Sequence, residues 1–483
     1  MLFNSIDFAI FLPIVFLFYW WVFKNSLRLQ NALIVVSSYL FYGWWDWRFL
    51  SLIIFSTLAD YLIGRRMGVV KDSVQRKRLL WLSISINLGF LGFFKYFNFF
   101  LDTFQSAFSF AGFEVGGTML NVVLPVGISF YTFQTLSYTI DVYRGKLQPT
   151  SDFISFSAFV SFFPQLVAGP IERATHLLPQ FGRQRVFNYS LAVNGMRQIL
   201  WGFFKKLVIA DTCAIYANQI FNSSEGYGGS ALFLGGVFFA FQIYGDFSGY
   251  SDIAIGVSRL FGFDLMRNFA FPYFSRDIAE FWRRWHISLS TWFRDYLYIP
   301  LGGSKGTKLR QVRNVFVIFV VSGFWHGANW TFIFWGVLNA LYFIPLLLLN
   351  RNRSNLEIAG GNRHLPSLRE FVQILSTFFL ATIAWISFRA EDIHHAIEIY
   401  QAIFSKTLFS IPQGLFSPKM FVAVLLIAGF VIVEWIGRRR QFAIECLFES
   451  YPRVARWGAY TFIIFLIGMF METKESPFIY FQF

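Results

Sequence analysis

The chain reads as an all-α polytopic membrane protein, and three features of its sequence predict this. Hydrophobic residues make up 56% of the 483 positions and charged ones only 14%, against about 25% charged in soluble proteins. The mean hydropathy is +0.51, and apolar runs close to 20 residues recur from end to end. The basic residues behind the net charge of +14 sit in the gaps between those runs, where membrane topology requires them. That placement removes the usual link between a basic chain and nucleic acid, and leaves anionic headgroups as the partner. No Pro/Ser-rich linker divides the runs, so a single domain over 1–483 is expected.

The first span is Phe8–Phe23, kinked at Pro13. It carries no basic n-region and no small-residue cleavage site, so it reads as retained. Spans at Ala32–Trp44 and Phe49–Ile63 follow. The loop Gly64–Arg78 then holds Arg65, Arg66, Lys71, Arg76, Lys77 and Arg78 against Asp72, which predicts a cytoplasmic loop and an external N-terminus. Leu79–Phe99 crosses outward. Leu101–Leu120 has no Lys or Arg and reads as an external loop whose first part lies flat on the surface. Val122–Tyr143 returns to Arg144 and Lys146. The short run Phe153–Val167 ends in PQLVAGPIER, Pro164–Arg173. Its two prolines and a glycine predict a broken or re-entrant helix, tolerated at membrane depth only inside protein or beside a cavity.

Gln198–Phe221 is the next apolar segment. Leu232–Gly245 and Tyr250–Phe263 then flank YGDFSGYSD, Tyr244–Asp252, which reads as a Gly/Ser-rich break. Asp246 and Asp252 there, like Asp60 and Asp141, could line a cavity or serve as structural hydrogen-bonding groups. Toward the C-terminus, Arg351, Arg353, Arg363 and Arg369 mark a cytoplasmic loop, Phe371–Phe388 crosses out, and the segment from His394 forms an external amphipathic helix. Phe421–Ile436 crosses in to Arg438–Arg440, and Trp457–Met471 crosses out. The total is about eleven spans.

The stretch Phe281–Asn339 carries the chemistry. From Arg267 to Arg313 nine basic residues face only Asp277, Glu280 and Asp295, among Trp282, Trp285, Trp292, Tyr296 and Tyr298. Arg with Trp and Tyr seats a chain at a cytoplasmic interface. The planar guanidiniums of Arg283, Arg284 and Arg294 are also suited to a phosphate-bearing ligand. His286 lies in this segment. His326 is the one ionisable residue of the following apolar run. A charged group at membrane depth costs roughly 2.5 kcal/mol or more, which makes His326 the first candidate for chemistry. It sits in SGFWHGANW, with Gly323 and Gly327 permitting close approach. Burial in apolar surroundings favours the neutral imidazole, a proton acceptor. Asn314–Asn350 is long enough for two crossings, which places His326 near the turn of a hairpin.

Other chemistries find little support. No G-x-S-x-G elbow and no H-E-x-x-H occurs, and Cys213 and Cys446 make neither a disulfide framework nor a metal set. A transporter using His326 and the intramembrane acids as a proton path is the non-enzyme alternative, but it predicts internal half-repeats, and none is visible.

The segments PVGISFYTFQTLSYTIDVYRG (Pro125–Gly145), FPQLVAGPIER (Phe163–Arg173), QIYGDFSGYSDIAIG (Gln242–Gly256), FWRRWHISLSTWFRDYLYIPLGG (Phe281–Gly303), FWHGANW (Phe324–Trp330) and the closing PFIYFQF resemble, in order, the membrane-bound O-acyltransferase family. Within it they resemble the bacterial alginate O-acetyltransferase branch; D-alanyl-transferring relatives usually lack the YIPLGG continuation. The resemblance implies a ring of transmembrane helices around a funnel, with re-entrant and interfacial helices and a catalytic core at about 122–350. It implies that His326 takes the catalytic position and His286 a second, Asn-or-His position. It also implies a cytoplasmic thioester donor, acetyl-CoA or another acyl thioester, with no permanently bound cofactor and no metal. The implied setting is the bacterial inner membrane, with a periplasmic esterase-like acetyltransferase and polysaccharide export proteins as partners. Peptidoglycan, another surface glycan, or teichoic acid receiving D-alanine are the alternative acceptors. An acyl-histidine relay stays open.

Overall fold

The computed structural model describes residues 1–113, 116–120, 123–412, 415, 417–471 and 478–479. Among them the chain is helical, with no strand. It divides into two compact units, one formed by residues 1–192 and 257–266, the other by 193–256 and 267–483. Seven helical stretches among the described residues are long and apolar enough to cross a membrane. The number is not comparable with the expected eleven, because Leu27–Val69 takes in two expected spans and the first, Ile6–Val22, is apolar but short.

In the first unit, α1 (Ile6–Leu17) starts at an N-cap, Ser5, whose hydroxyl accepts from the Phe8 N–H, and Pro13 falls inside it. α2 (Leu27–Asp46) and α3 (Leu50–Val69) follow. α4 (Ser73–Leu91) is capped by Asp72 and runs through a π-helical turn at Gly92–Tyr96 directly into α5 (Phe97–Phe110). The segment read as a flat external loop therefore begins as a continuation of helix over 38 residues. Buried polar groups staple α3 and α4 to α6 (Ile128–Tyr143). The Asp60 carboxylate accepts from Ser83 Oγ at 2.6 Å and Asn87 Nδ2 at 2.8 Å, while Ser83 Oγ also reaches Thr139 at 3.0 Å. Polar groups with no water nearby are held where they satisfy one another. This fixes the structural reading of Asp60.

The break expected at Pro164–Arg173 is present in the structure. α7 (Phe153–Ser161) stops at Ser161, and the chain is irregular and buried until α8 (Ala174–Phe181). Its backbone is satisfied locally: the Phe163 N–H donates to Ser38 Oγ, and those of Leu166 and Gly169 to the carbonyls of Phe162 and Gln165. Gly127, at φ 77°, caps α6 where a Cβ would lie 2.9 Å from the Leu166 carbonyl oxygen.

α9 (Tyr189–Phe203) passes through a π turn (Phe204–Ala210) into α10 (Asp211–Phe221). Beside it runs α11 (Gly229–Leu260), 32 residues long and unbroken through YGDFSGYSD. The expected break is thus overturned, for a packing reason. In the second unit a Cβ on Gly249 would meet the Gly202 carbonyl oxygen at 2.8 Å, and one on Gly245 the Lys205 carbonyl oxygen at 2.8 Å. The glycines let two helices touch backbone to backbone, as small residues do in membranes.

The rest of the second unit holds α12 (Ile278–Arg284), α13 (Ile287–Phe293), α14 (Lys308–His326), α15 (Trp330–Leu348), α16 (Leu368–Arg389), α17 (Ile393–Ile403), α18 (Pro418–Gly437) and α19 (Arg453–Phe470). The hairpin expected over Asn314–Asn350 is α14–α15. Gly323 and Gly336 seat it: a Cβ on Gly323 would fall 2.1 Å from the Phe332 carbonyl oxygen, and one on Gly336 2.4 Å from that of Phe319.

Candidate active site

His286 stands between two short helices because the chain reverses there. Residues 268–270 lie alongside 284–287: the Ala270 N–H donates to the Arg284 carbonyl and the Ile287 N–H to that of Asn268, both at 2.9 Å. The turn puts His286 in the left-handed region, φ 43° and ψ 54°. For a residue other than glycine that conformation costs about 1–3 kcal/mol, and such strain clusters at functional sites. Asn268 holds the turn. Its Oδ1 accepts from Ser288 Oγ at 2.9 Å, and its Nδ2 donates to Ser251 Oγ on α11 at 3.1 Å. All three of these side chains are buried.

His326 ends α14, delivered to the tip of the hairpin by the Gly323–Gly336 contact. The next residue, Gly327, has no room for a side chain, since a Cβ would lie 2.0 Å from the Phe332 ring. The two imidazoles, forty positions apart in sequence, come to 6.2 Å between ring centroids, with His286 1% and His326 4% exposed. Aromatic rings wall them in. Trp325 lies 5.0 Å, Trp335 5.2 Å and Phe388 5.3 Å from the His326 ring, and Phe247 lies 4.7 Å from the His286 ring. His286 lies outside the long apolar helices. Burial, and secondarily the nearby His326, push its pKa well below the usual histidine value, so it stays neutral at pH 7.

The expected arginines are placed differently. Arg283 donates to the Asn352 and Asn355 carbonyls at 2.8 and 2.7 Å. Arg284 pairs with the buried Glu280 at 2.8 Å and donates to the Ala270 carbonyl at 3.1 Å. Both hold loops in place. Arg294 is 58% exposed at its side chain and paired with Asp295 at 2.7 Å. The structure does not gather these three around the histidines.

A buried polar cluster takes in Asp246 and Asp252, which the sequence offered as cavity-lining or structural groups, but its lysines and Glu434 escaped sequence reasoning. Lys205 pairs with Asp252 at 2.5 Å, and Gln198 donates to the same carboxylate at 2.7 Å. Lys206 bridges Asp246 at 2.7 Å and Asp211 at 2.9 Å. Glu434 on α18 accepts from Tyr244 at 2.6 Å and Trp201 at 3.1 Å. A small polar cavity lies among Lys205, Asp252, Arg267, Asn268, Phe269 and Glu434. The signal was present in the sequence: Lys205, Lys206 and Glu434 are charged residues inside apolar segments, the pattern that singled out His326. Asn268 gave no such signal, because its role arises from a backbone turn. Among the described residues no three His, Cys, Asp or Glu side chains form a metal-binding group.

Chemically, the arrangement offers two imidazoles, that of His286 neutral, in a buried aromatic enclosure. That is the equipment for proton transfer to or from a hydroxyl.

Comparison with known proteins adds an independent line. Residues 147–388 match the model of MBOAT, the membrane-bound O-acyltransferase family. The chain is 42% identical to the probable alginate O-acetylase AlgI of Pseudomonas syringae pv. tomato, over 84% of this chain and 75% of that protein. It is 37% identical to the protein of the same name in Pseudomonas putida, over the full length of both. It is 34% identical to the peptidoglycan O-acetyltransferase of Helicobacter pylori, over 83% of this chain and 80% of that protein. With the apolar helices and the buried histidine pair, these matches show that the chain belongs to the membrane-bound O-acyltransferase family and is a multi-pass membrane O-acyltransferase.

Proposed function

We propose that the protein moves acetyl groups from a cytoplasmic thioester, acetyl-CoA in the first instance, across the bacterial inner membrane for O-acetylation of an extracellular polysaccharide, alginate foremost. The observation that carries this is the juxtaposition of His326 and His286 in a buried aromatic enclosure. The names of the alginate-type relatives support the acetyl group and the polymer.

In this reading the acceptor hydroxyl attacks the thioester carbonyl while His326 takes its proton. The tetrahedral oxyanion collapses, the C–S bond breaks, and the departing thiolate recovers a proton. A positioned base contributes about 10²–10⁴-fold to such a step. His286, neutral and able to donate one N–H, is suited to the oxyanion. Arg294, exposed on the basic segment, is the candidate for the donor's phosphates. A periplasmic esterase-like acetyltransferase would take the exported acetyl group onward.

The acceptor is tested by deleting the gene and measuring ester-linked acetate on purified alginate and on peptidoglycan, with inside-out vesicles given radiolabelled acetyl-CoA in parallel. Loss from alginate alone, with label transferred in the vesicles, is expected. Loss from peptidoglycan alone would replace the acceptor with the one named for the Helicobacter relative. Absence of vesicle transfer would remove acetyl-CoA as donor.

A further inference from the structure

In the second unit an apolar groove of about 900 Å³ runs between α16 and α18, walled by Phe371, Leu375 and Phe378 on one side and Ile432, Trp435 and Ile436 on the other. Its volume lies within the range of about 300–1,000 Å³ typical of ligand sites. The loop around His364 lines the groove as well. That loop is fastened from below. Trp435 Nε1 donates to the His364 carbonyl at 2.6 Å, and Arg438 donates to the Ala359 carbonyl at 2.9 Å and the Arg363 carbonyl at 2.7 Å. The groove is therefore preformed.

The surface beside that loop is basic. Arg363, Arg369, Arg439 and Arg440 are exposed around the loop and the adjoining helix ends. Glu370 pairs with Arg363 at 2.6 Å, and Glu449 lies near Arg440, which leaves the arginines in excess. An apolar channel beside excess positive charge matches one chemistry: hydrocarbon chains joined to an anionic phosphate. We propose that this groove binds an anionic phospholipid, its acyl chains between α16 and α18 and its phosphate at Arg363, Arg439 and His364. The site is distinct from the histidine pair, and the proposal stands whatever acyl group or acceptor the enzyme uses.

The test is native mass spectrometry on the purified full-length protein, stripped with detergent and offered dioleoylphosphatidylglycerol or dioleoylphosphatidylcholine at equal concentration. A preference of roughly tenfold for the anionic lipid is expected from the arginines beside the groove. Leu375→Trp combined with Ile432→Trp fills the groove and should abolish retention of both lipids. Arg363→Glu combined with Arg439→Glu should remove the preference while leaving phosphatidylcholine binding. Equal retention of the two lipids by the unaltered protein would overturn the proposal, as would undiminished phosphatidylglycerol retention by a folded groove-filled variant. If the filled variant does not fold, a photoreactive phosphatidylglycerol on the unaltered protein decides. Crosslinks within 368–378 and 431–436 support the site, and crosslinks confined to other segments refute it.

Discussion

Gly323→Ala tests how the fold delivers His326. The added Cβ would sit 2.1 Å from the Phe332 carbonyl oxygen, where real contacts stop at about 3.0 Å, so α14 and α15 must separate by about 0.9 Å. The obstruction is backbone on both sides and cannot rotate away. Overpacking of this kind costs about 1–3 kcal/mol. The functional loss should be larger than the stability loss implies. His326 lies one turn beyond Gly323 on α14, and its ring packs 5.2 Å from Trp335 on α15, so opening the hairpin moves it out of register. A misplacement near 1 Å costs about 10²-fold in rate. The assays are thermal unfolding in detergent and polymer O-acetylation in cells at matched protein level. Gly458→Ala on α19 is the control: nothing lies within 4 Å of its Cβ position, and the change should be neutral or stabilising by up to about 1 kcal/mol. If Gly323→Ala retains both the melting temperature and the acetylation of the unaltered protein, the backbone contact does not position the histidine.

Four further outcomes follow from the same geometry. Lys206→Met removes the cation shared by Asp246 and Asp211 and should destabilise the protein by about 3–5 kcal/mol, while adding Asp246→Asn and Asp211→Asn should recover most of the loss in a melting series. His286→Asn keeps an N–H donor and should retain more transfer than His286→Ala; equal activities would show that hydrogen bonding at this position is irrelevant. Because the folded pKa of His286 is depressed, only the unfolded state takes up a proton as pH falls below about 6.5, so stability should drop on acidification by up to about 1.4 kcal/mol per pH unit. Stability measured from pH 7.5 to 5 should show that slope, and His286→Asn should flatten it. Arg283→Gln should lower thermal stability without raising the KM for the thioester, since its guanidinium binds the carbonyls of Asn352 and Asn355; a raised KM at unchanged stability would restore it as a donor contact.

Much of the site was legible because membrane depth makes ionisable residues conspicuous. His326 stood out as the one such group in its run, and the length of Asn314–Asn350 predicted the hairpin that carries it. The broken helix at Pro164–Arg173 was equally readable from proline chemistry. Glycine was the ambiguous signal. In Tyr244–Asp252 it suggested a break, yet α11 runs straight through, because whether a glycine interrupts a helix or admits a neighbour depends on what packs against it. The approach of His286 to His326 was invisible to spacing, since it depends on a left-handed turn held by Asn268 from another segment. Arg283 and Arg284 carried a double signal: a guanidinium suited to phosphate serves equally well to tie loop carbonyls, as both do here.

The most direct measurement is acetyl transfer by His326→Ala, assayed as ester-linked acetate on the polymer in cells and as label transfer from acetyl-CoA in inside-out vesicles, with membrane levels and melting temperature matched to the unaltered protein. A loss of about 10²–10⁴-fold with the fold intact is expected of a base that takes the acceptor's proton. Transfer at the rate of the unaltered protein would contradict the assignment of His326 as the catalytic base.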